Sequence, residues 1–187
     1  MIDRLLNAAR RTSRILVWIG GTLIITSAFL ITLAIILRKL FNISFAGADE
    51  LSGYAFGIAT SFSFAYALFE RAHIRVDALY NLFPAWMKIF ANFFGMFLLT
   101  SFVAVICLMA WNLVVDTLIY NSHSITPLRT PLAIPQIPWL TGWIFFLFCS
   151  VLLILAALKA LISKNISAVN RLIGTKTVGK QINDEKV

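Results

Sequence analysis

The chain has 187 residues, 60% of them hydrophobic and only 13% charged, with a mean hydropathy of +0.87. A soluble domain of this size would expose large apolar patches at that composition, so the solvent for most of the chain is lipid. The formal net charge of +8 comes from 16 Lys and Arg against 8 Asp and Glu. The basic residues are spread over several segments rather than gathered in one stripe, which makes nucleic acid a poor partner for them.

In chain order, Ile2, Leu5, Leu6 and Ala9 recur at helical spacing opposite Arg4 and Arg11. That pattern predicts a short amphipathic helix lying on the inner headgroup layer. Four apolar runs follow, Ile15 to Leu37, Leu51 to Phe69, Ile89 to about Val115 and Trp139 to Leu158, and none contains Asp, Glu, Lys, Arg or His. Each supplies the roughly 20 apolar residues with which a helix crosses a hydrocarbon core of about 30 Å. No segment alternates like a barrel strand, and bare strand edges would leave backbone groups unpaired in lipid, so the spanning element is helical. The expected fold is an all-α integral membrane protein with four transmembrane helices, at about 15–37, 51–69, 89–115 and 139–161. They form a single domain over residues 1–175, and the polar, aperiodic residues 176–187 read as a disordered tail. The first run resembles a signal peptide, but it ends in Arg38-Lys39 without a small-x-small cleavage site and reads as an uncleaved anchor.

Orientation follows from the basic residues, which are retained on the cytoplasmic side when they lie in short loops. Arg38, Lys39 and Arg129 fall on one face, and all the other Lys and Arg fall on the opposite one. Both termini are therefore expected in the cytoplasm. Attraction to anionic phospholipid headgroups is a secondary effect of the same charge.

Redox, metal and catalytic chemistry find little support. His73 and His123 are expected on opposite sides of the membrane and cannot share a metal or a haem. Cys107 and Cys149 fall inside the third and fourth runs, in apolar surroundings that leave a thiol inert. No residue is assigned as catalytic, metal-ligating or cofactor-binding. Ion-coupled transporters keep charged groups or broken helices near the midplane, whereas Glu70, Asp116 and Lys159 sit at span ends and no predicted span has an internal proline. If the chain serves a transporter, the coupling site is expected on another chain.

The informative positions concern contacts. Gly53, Gly57, Ser61 and Ala65 recur every four residues, a seam of small side chains that lets another helix approach. Asp49 and Glu50 stand at the start of the second run, where acids favour the positive end of a helix and Asp49 can cap free amides. After that run, Arg71 with Arg75 and His73 with Asp77 are spaced four apart, an ion-paired face if the segment is helical. The segment Ser124 to Pro138 carries Pro127, Pro131, Pro135 and Pro138 and cannot be a regular helix throughout. It reads as a stiff apolar external loop suited to docking.

The acid pair Asp49-Glu50 before a small-residue span, the run His73-Ile74-Arg75-Val76-Asp77, and the stretch from Ser124 through Pro135-Gln136 to Trp139 with Gly142 together resemble the small permease subunit of TRAP transporters. These are the tripartite ATP-independent periplasmic transporters, and the resemblance covers about Ile15 to Leu161. It departs before the acid pair, where Phe45-Ala46-Gly47-Ala48 stands instead of the tryptophan often found there. The resemblance implies a multi-pass scaffold in the bacterial inner membrane. Its partners would be a large membrane subunit carrying the sodium and substrate sites, and a periplasmic binding protein delivering an organic acid, commonly a carboxylate. Asp49, Glu50, Arg71, His73, Arg75 and Asp77 would then have structural or interfacial roles. Two other readings stay open on the residues alone: a scaffold or assembly subunit of another membrane complex, and a self-contained channel or membrane enzyme.

Overall fold

The structure, a computed structural model, describes residues 2–43, 47–70, 84–163 and 172. They form four helices: α1 (Ile2–Phe41), α2 (Ala48–Glu70), α3 (Ala85–Ile119) and α4 (Ala133–Ile162). Three contain stretches long and apolar enough to cross a membrane, Arg4–Phe41, Met87–Ile119 and Ala133–Ile162. The 23 residues of α2 have the length, but its glycines, serines and tyrosines leave its most apolar stretch less apolar than those of the other three.

Two helix starts, those of α1 and α4, differ most from the sequence expectation, while α3 extends four residues beyond each expected end. The amphipathic segment is not a separate helix, because α1 runs unbroken through all 40 residues from Ile2. Small Ala9 and Ser13 are buried, and Ile2 and Leu6 pack on the main core. Packing therefore holds the segment in line with the span. At 1.5 Å per residue α1 is about 60 Å long, roughly twice the thickness of a hydrocarbon core. The second difference is that α4 begins at Ala133, ahead of the expected Trp139, and includes Pro135 and Pro138. Proline is tolerated in a first turn, whose amides lack intrahelical partners in any case, so Pro135 costs little there. Pro138 gives up the one bond it would donate to the Ile134 carbonyl.

The helices form a row rather than a ring. On one side α2 packs against α1 and on the other against α4, α3 packs chiefly on α4, and α1 reaches α4 through a smaller contact. The main core gathers Ala9, Ala65, Leu68, Phe69, Met96, Val103, Phe146, Cys149 and Leu153 from all four helices. A second, smaller core joins Ala110 and Val114 to Leu140. At the end of the row where α1 starts and α2 finishes, the Arg10 guanidinium lies 5.6 Å from the centre of the Phe69 ring, a cation–π contact. Free Cys107 and Cys149 are both buried in the main core.

Several buried or lipid-facing hydroxyls find partners within their own helices. Those of Ser13, Ser52, Ser61 and Ser150 donate to the carbonyls of Arg10, Asp49, Ile58 and Leu147, each at 2.9 Å. Thr22, Thr26 and Thr32 on α1 do the same four residues back. With its hydroxyl satisfied by its own helix, each such residue packs as a small, nearly apolar group.

Candidate functional site

The start of α2 and the α3–α4 loop meet at one end of the row. Asn42 leaves α1 at φ 53 and Gly47 enters α2 at φ 115, a left-handed conformation that favours glycine. A side chain at Gly47 would also collide with Leu128 of the other loop. The chain leaves α3 by a Schellman turn, with Asn121 at φ 46 and the Ser122 amide donating to the Thr117 carbonyl at 3.0 Å. The loop then folds on itself. The Ser124 amide donates to Thr130 O at 2.9 Å, Arg129 to Thr126 O at 3.0 Å and Leu132 to Ser122 O at 3.0 Å.

This folding turns alternate side chains in opposite directions. Ser122, Ser124 and Thr126 face inward and are partly buried, whereas His123, Ile125 and Pro127 are exposed. The inward set closes on Glu50. Tyr54, one turn further along α2, donates its hydroxyl to Glu50 Oε1 at 2.7 Å, and Thr126 donates its hydroxyl to Glu50 Oε2. Ser124 Oγ stands 2.9 Å from Thr126 Oγ1. Glu50 is therefore a clasp that fastens the α3–α4 loop across the start of α2.

The Thr126 and then the Tyr54 hydroxyl favour the ionised carboxylate and hold the Glu50 pKa below its ordinary 4.5, with smaller help from Ser124 and Thr130 against a desolvation that acts the other way. A lowered folded pKa means that the clasp contributes stability above the unfolded value, and that this contribution is lost as pH falls through the folded one. The lead in thermal midpoint of the native chain over Glu50→Gln is thus expected to hold above pH 4.5 and to shrink below it. A lead independent of pH would mean that the carboxylate charge has no part in the clasp.

The small-residue seam of α2 divides in two. Ser61 and Ala65 are buried, and a methyl group placed on Gly142 of α4 would lie 2.8 Å from Ser61 Cβ and 2.9 Å from its carbonyl carbon. The two helices come very close at this point. Among the described residues Gly53 and Gly57 remain open: nothing lies within 4 Å of a methyl at Gly53, and only Trp139 Cδ1, at 3.9 Å, near one at Gly57. Together with Tyr54, Ile58, Leu132, Pro135, Gln136 and Trp139 they line an apolar cleft of about 150 Å³. On the opposite side of α2, Gly20 of α1 approaches within 3.0 Å of Ala59 O, measured from a methyl placed on the glycine. Trp143 lies tilted against Phe64 at 5.0 Å between ring centres, and its Nε1, like Thr100 Oγ1 and Gln136 Oε1, is buried without a hydrogen-bond partner among the described residues.

Of the residues singled out in the sequence, Glu50 forms the clasp and Asp49 beside it is exposed. Ser61 packs on α4, and Gly53 and Gly57 border the cleft. Pro127 and Pro131 are exposed in the loop, with Pro131 bridged to His123, and Pro135 is buried in the first turn of α4. Arg71, His73, Arg75 and Asp77 lie outside the described residues. Sequence reasoning missed Thr126, Tyr54, Gly20 and Gly142 as contact-forming positions. Tyr54 alone carried a local signal, its spacing of four from Glu50.

The described residues form helices, three of them apolar and of membrane-spanning length, which makes this a membrane protein. Residues 27–163 match the family of tripartite ATP-independent periplasmic transporters, DctQ component, and the chain belongs to that family as the small membrane subunit of such a transporter. No curated protein and no solved structure matches the chain significantly.

Proposed function

We propose that this chain scaffolds the large subunit of a TRAP transporter in the bacterial inner membrane, for sodium-coupled, binding-protein-dependent uptake of an organic acid. The observation that carries the reading is the row arrangement. A row leaves broad apolar faces at both ends, with Trp18, Ile25 and Phe29 exposed on α1 and Phe97, Phe102 and Leu108 on α3. These faces suit lipid and a large hydrophobic partner. In this reading α2 is a fourth span, supported by its position between α1 and α4, and both termini are cytoplasmic by the distribution of Lys and Arg. Sodium and substrate are held by the large subunit, and the periplasmic binding protein meets the assembly at the end bearing the clasp.

Co-expression tests the reading directly. A tagged chain extracted in mild detergent should carry the large membrane subunit with it, and membranes containing both should take up organic acid only with sodium and the binding protein present. Purification of the tagged chain alone from co-expressing cells would overturn the scaffold assignment, as would full uptake by the large subunit without this chain.

A further inference from the structure

One exposed line of side chains on α1 changes character along its length. Arg4, Arg11, Trp18 and Ile25 recur every seven residues and are all exposed, so they follow one another along a single face of the helix. Arg14 stands three residues from Arg11 and four from Arg10, which makes it the surface neighbour of both. The three guanidiniums come immediately before Ile15, where the charge-free run of α1 begins. Within that run the same face carries Trp18, 72% exposed, and then Ile25, 73% exposed, with Phe29 one turn further on.

Like charges three and four residues apart on a helix repel. Among the described residues no carboxylate forms an ion pair with Arg10, Arg11 or Arg14. The Phe69 ring, 5.6 Å from the Arg10 guanidinium, already orders one member of the trio beside α2. An anion among the three removes the repulsion, and the planar fork of arginine matches the oxygens of a phosphate. The rest of the line says what that phosphate is attached to. An indole, with an apolar body and one N–H donor, fits the interfacial level of a bilayer, and the apolar side chains beyond it fit acyl chains. The 14 residues from Arg11 to Ile25 span about 21 Å of helix, close to half the roughly 40–45 Å thickness of a bilayer with its headgroups. A free phosphate would engage the arginines and leave Trp18 and Ile25 uncovered.

We propose that Arg10, Arg11 and Arg14 bind the phosphate of an anionic phospholipid in the leaflet where α1 begins, with its glycerol esters against Trp18 and its acyl chains along Ile25 and Phe29. The inference goes beyond the scaffold reading and does not depend on it, because it concerns the membrane-embedded chain alone. It replaces a diffuse attraction to headgroups by one site of defined depth.

The full chain, reconstituted in phosphatidylcholine nanodiscs, tests the site when a small fraction of the lipid is brominated on its acyl chains. The brominated lipid is either phosphatidylglycerol or phosphatidylcholine, and quenching of Trp18 is read as the difference from Trp18→Phe. Half-quenching should need about tenfold less brominated phosphatidylglycerol than brominated phosphatidylcholine. Arg11→Gln with Arg14→Gln should bring that ratio to about one. Lys159→Gln with Lys186→Gln removes the same charge elsewhere and should leave the ratio unchanged. Should the arginine double variant lose helicity by circular dichroism, Arg14→Gln alone decides, with the ratio expected to fall about threefold. Equal quenching by the two headgroups in the unsubstituted chain would overturn the site. So would an equal loss in the arginine and lysine variants, which would leave only a diffuse effect of net charge. Loss of the preference on adding inorganic phosphate at constant ionic strength would replace the lipid by free phosphate as the ligand.

Discussion

Gly142→Ala is expected to destabilise the chain more than any other single added methyl group along the α2–α4 contact. The new carbon would meet Ser61 at its Oγ and lie 2.8 Å from Cβ and 2.9 Å from the carbonyl carbon. A flexible side-chain tip could swing away, but two of these atoms belong to or adjoin the α2 backbone. Relief therefore requires α2 and α4 to separate. Separation would disturb the Phe64–Trp143 and Phe64–Phe146 ring contacts, at 5.0 and 5.6 Å, because Phe64 reaches across from α2 within one turn of Ser61. Overpacking of this kind costs about 1–3 kcal/mol. The same methyl at Gly53 or Gly57 meets open space or a contact at 3.9 Å and should change stability by no more than about 0.5 kcal/mol. Thermal midpoints in one detergent, followed by circular dichroism of the helices, distinguish these cases. A midpoint for Gly142→Ala equal to that of Gly57→Ala would show that the helices yield freely at Ser61 and that the tight approach has no energetic weight.

The contrast between Gly142 and Gly57 also marks how far the sequence could be read. Four apolar runs without charge predicted the four helices, because a period and a length are local properties of the chain. The seam at Gly53, Gly57, Ser61 and Ala65 was equally local, a four-residue spacing along one helix. Spacing does not say which neighbour covers which stretch of that face. Ser61 and Ala65 are covered by the chain itself, while Gly53 and Gly57 border a cleft, and the division depends on where α4 crosses α2.

Helix ends were harder for a related reason. Proline in a first turn is neither prohibited nor required, so the start of α4 at Ala133 rather than Trp139 left no mark in the pattern. Ala9 and Ser13 gave no sign that the amphipathic segment would continue α1 in line, since their burial depends on residues of other helices. Glu50 shows the same limit most clearly. Its place in a first turn allowed a dipole or capping role, but Thr126, 76 residues away, becomes its partner only once two loops meet at one end of the row.

That long-range pair is expected to control the shape of the loop. In Glu50→Ala the Tyr54 and Thr126 hydroxyls lose their common acceptor, and in Thr126→Val the loop loses its tie to α2 while the helix itself is untouched. Arg129, exposed in the loop at φ 47, offers a direct readout, because trypsin can cut after it only when the loop opens from its folded turn. Cleavage of a transiently opened segment follows the population of the open form when reclosing is fast, so each substitution should accelerate cutting at Arg129, by about tenfold if the clasp behaves as a charge-assisted hydrogen bond. The two changes break the same tie, and the double variant should cut little faster than the faster single one. On the function proposed above, uptake by the assembled transporter should fall in parallel if the binding protein engages this loop in its clasped shape. Rates that multiply in the double variant would mean that Glu50 and Thr126 stabilise the loop through separate contacts. Unchanged cutting in both singles would show that the backbone bonds from Ser124, Arg129 and Leu132 hold the loop closed without the clasp.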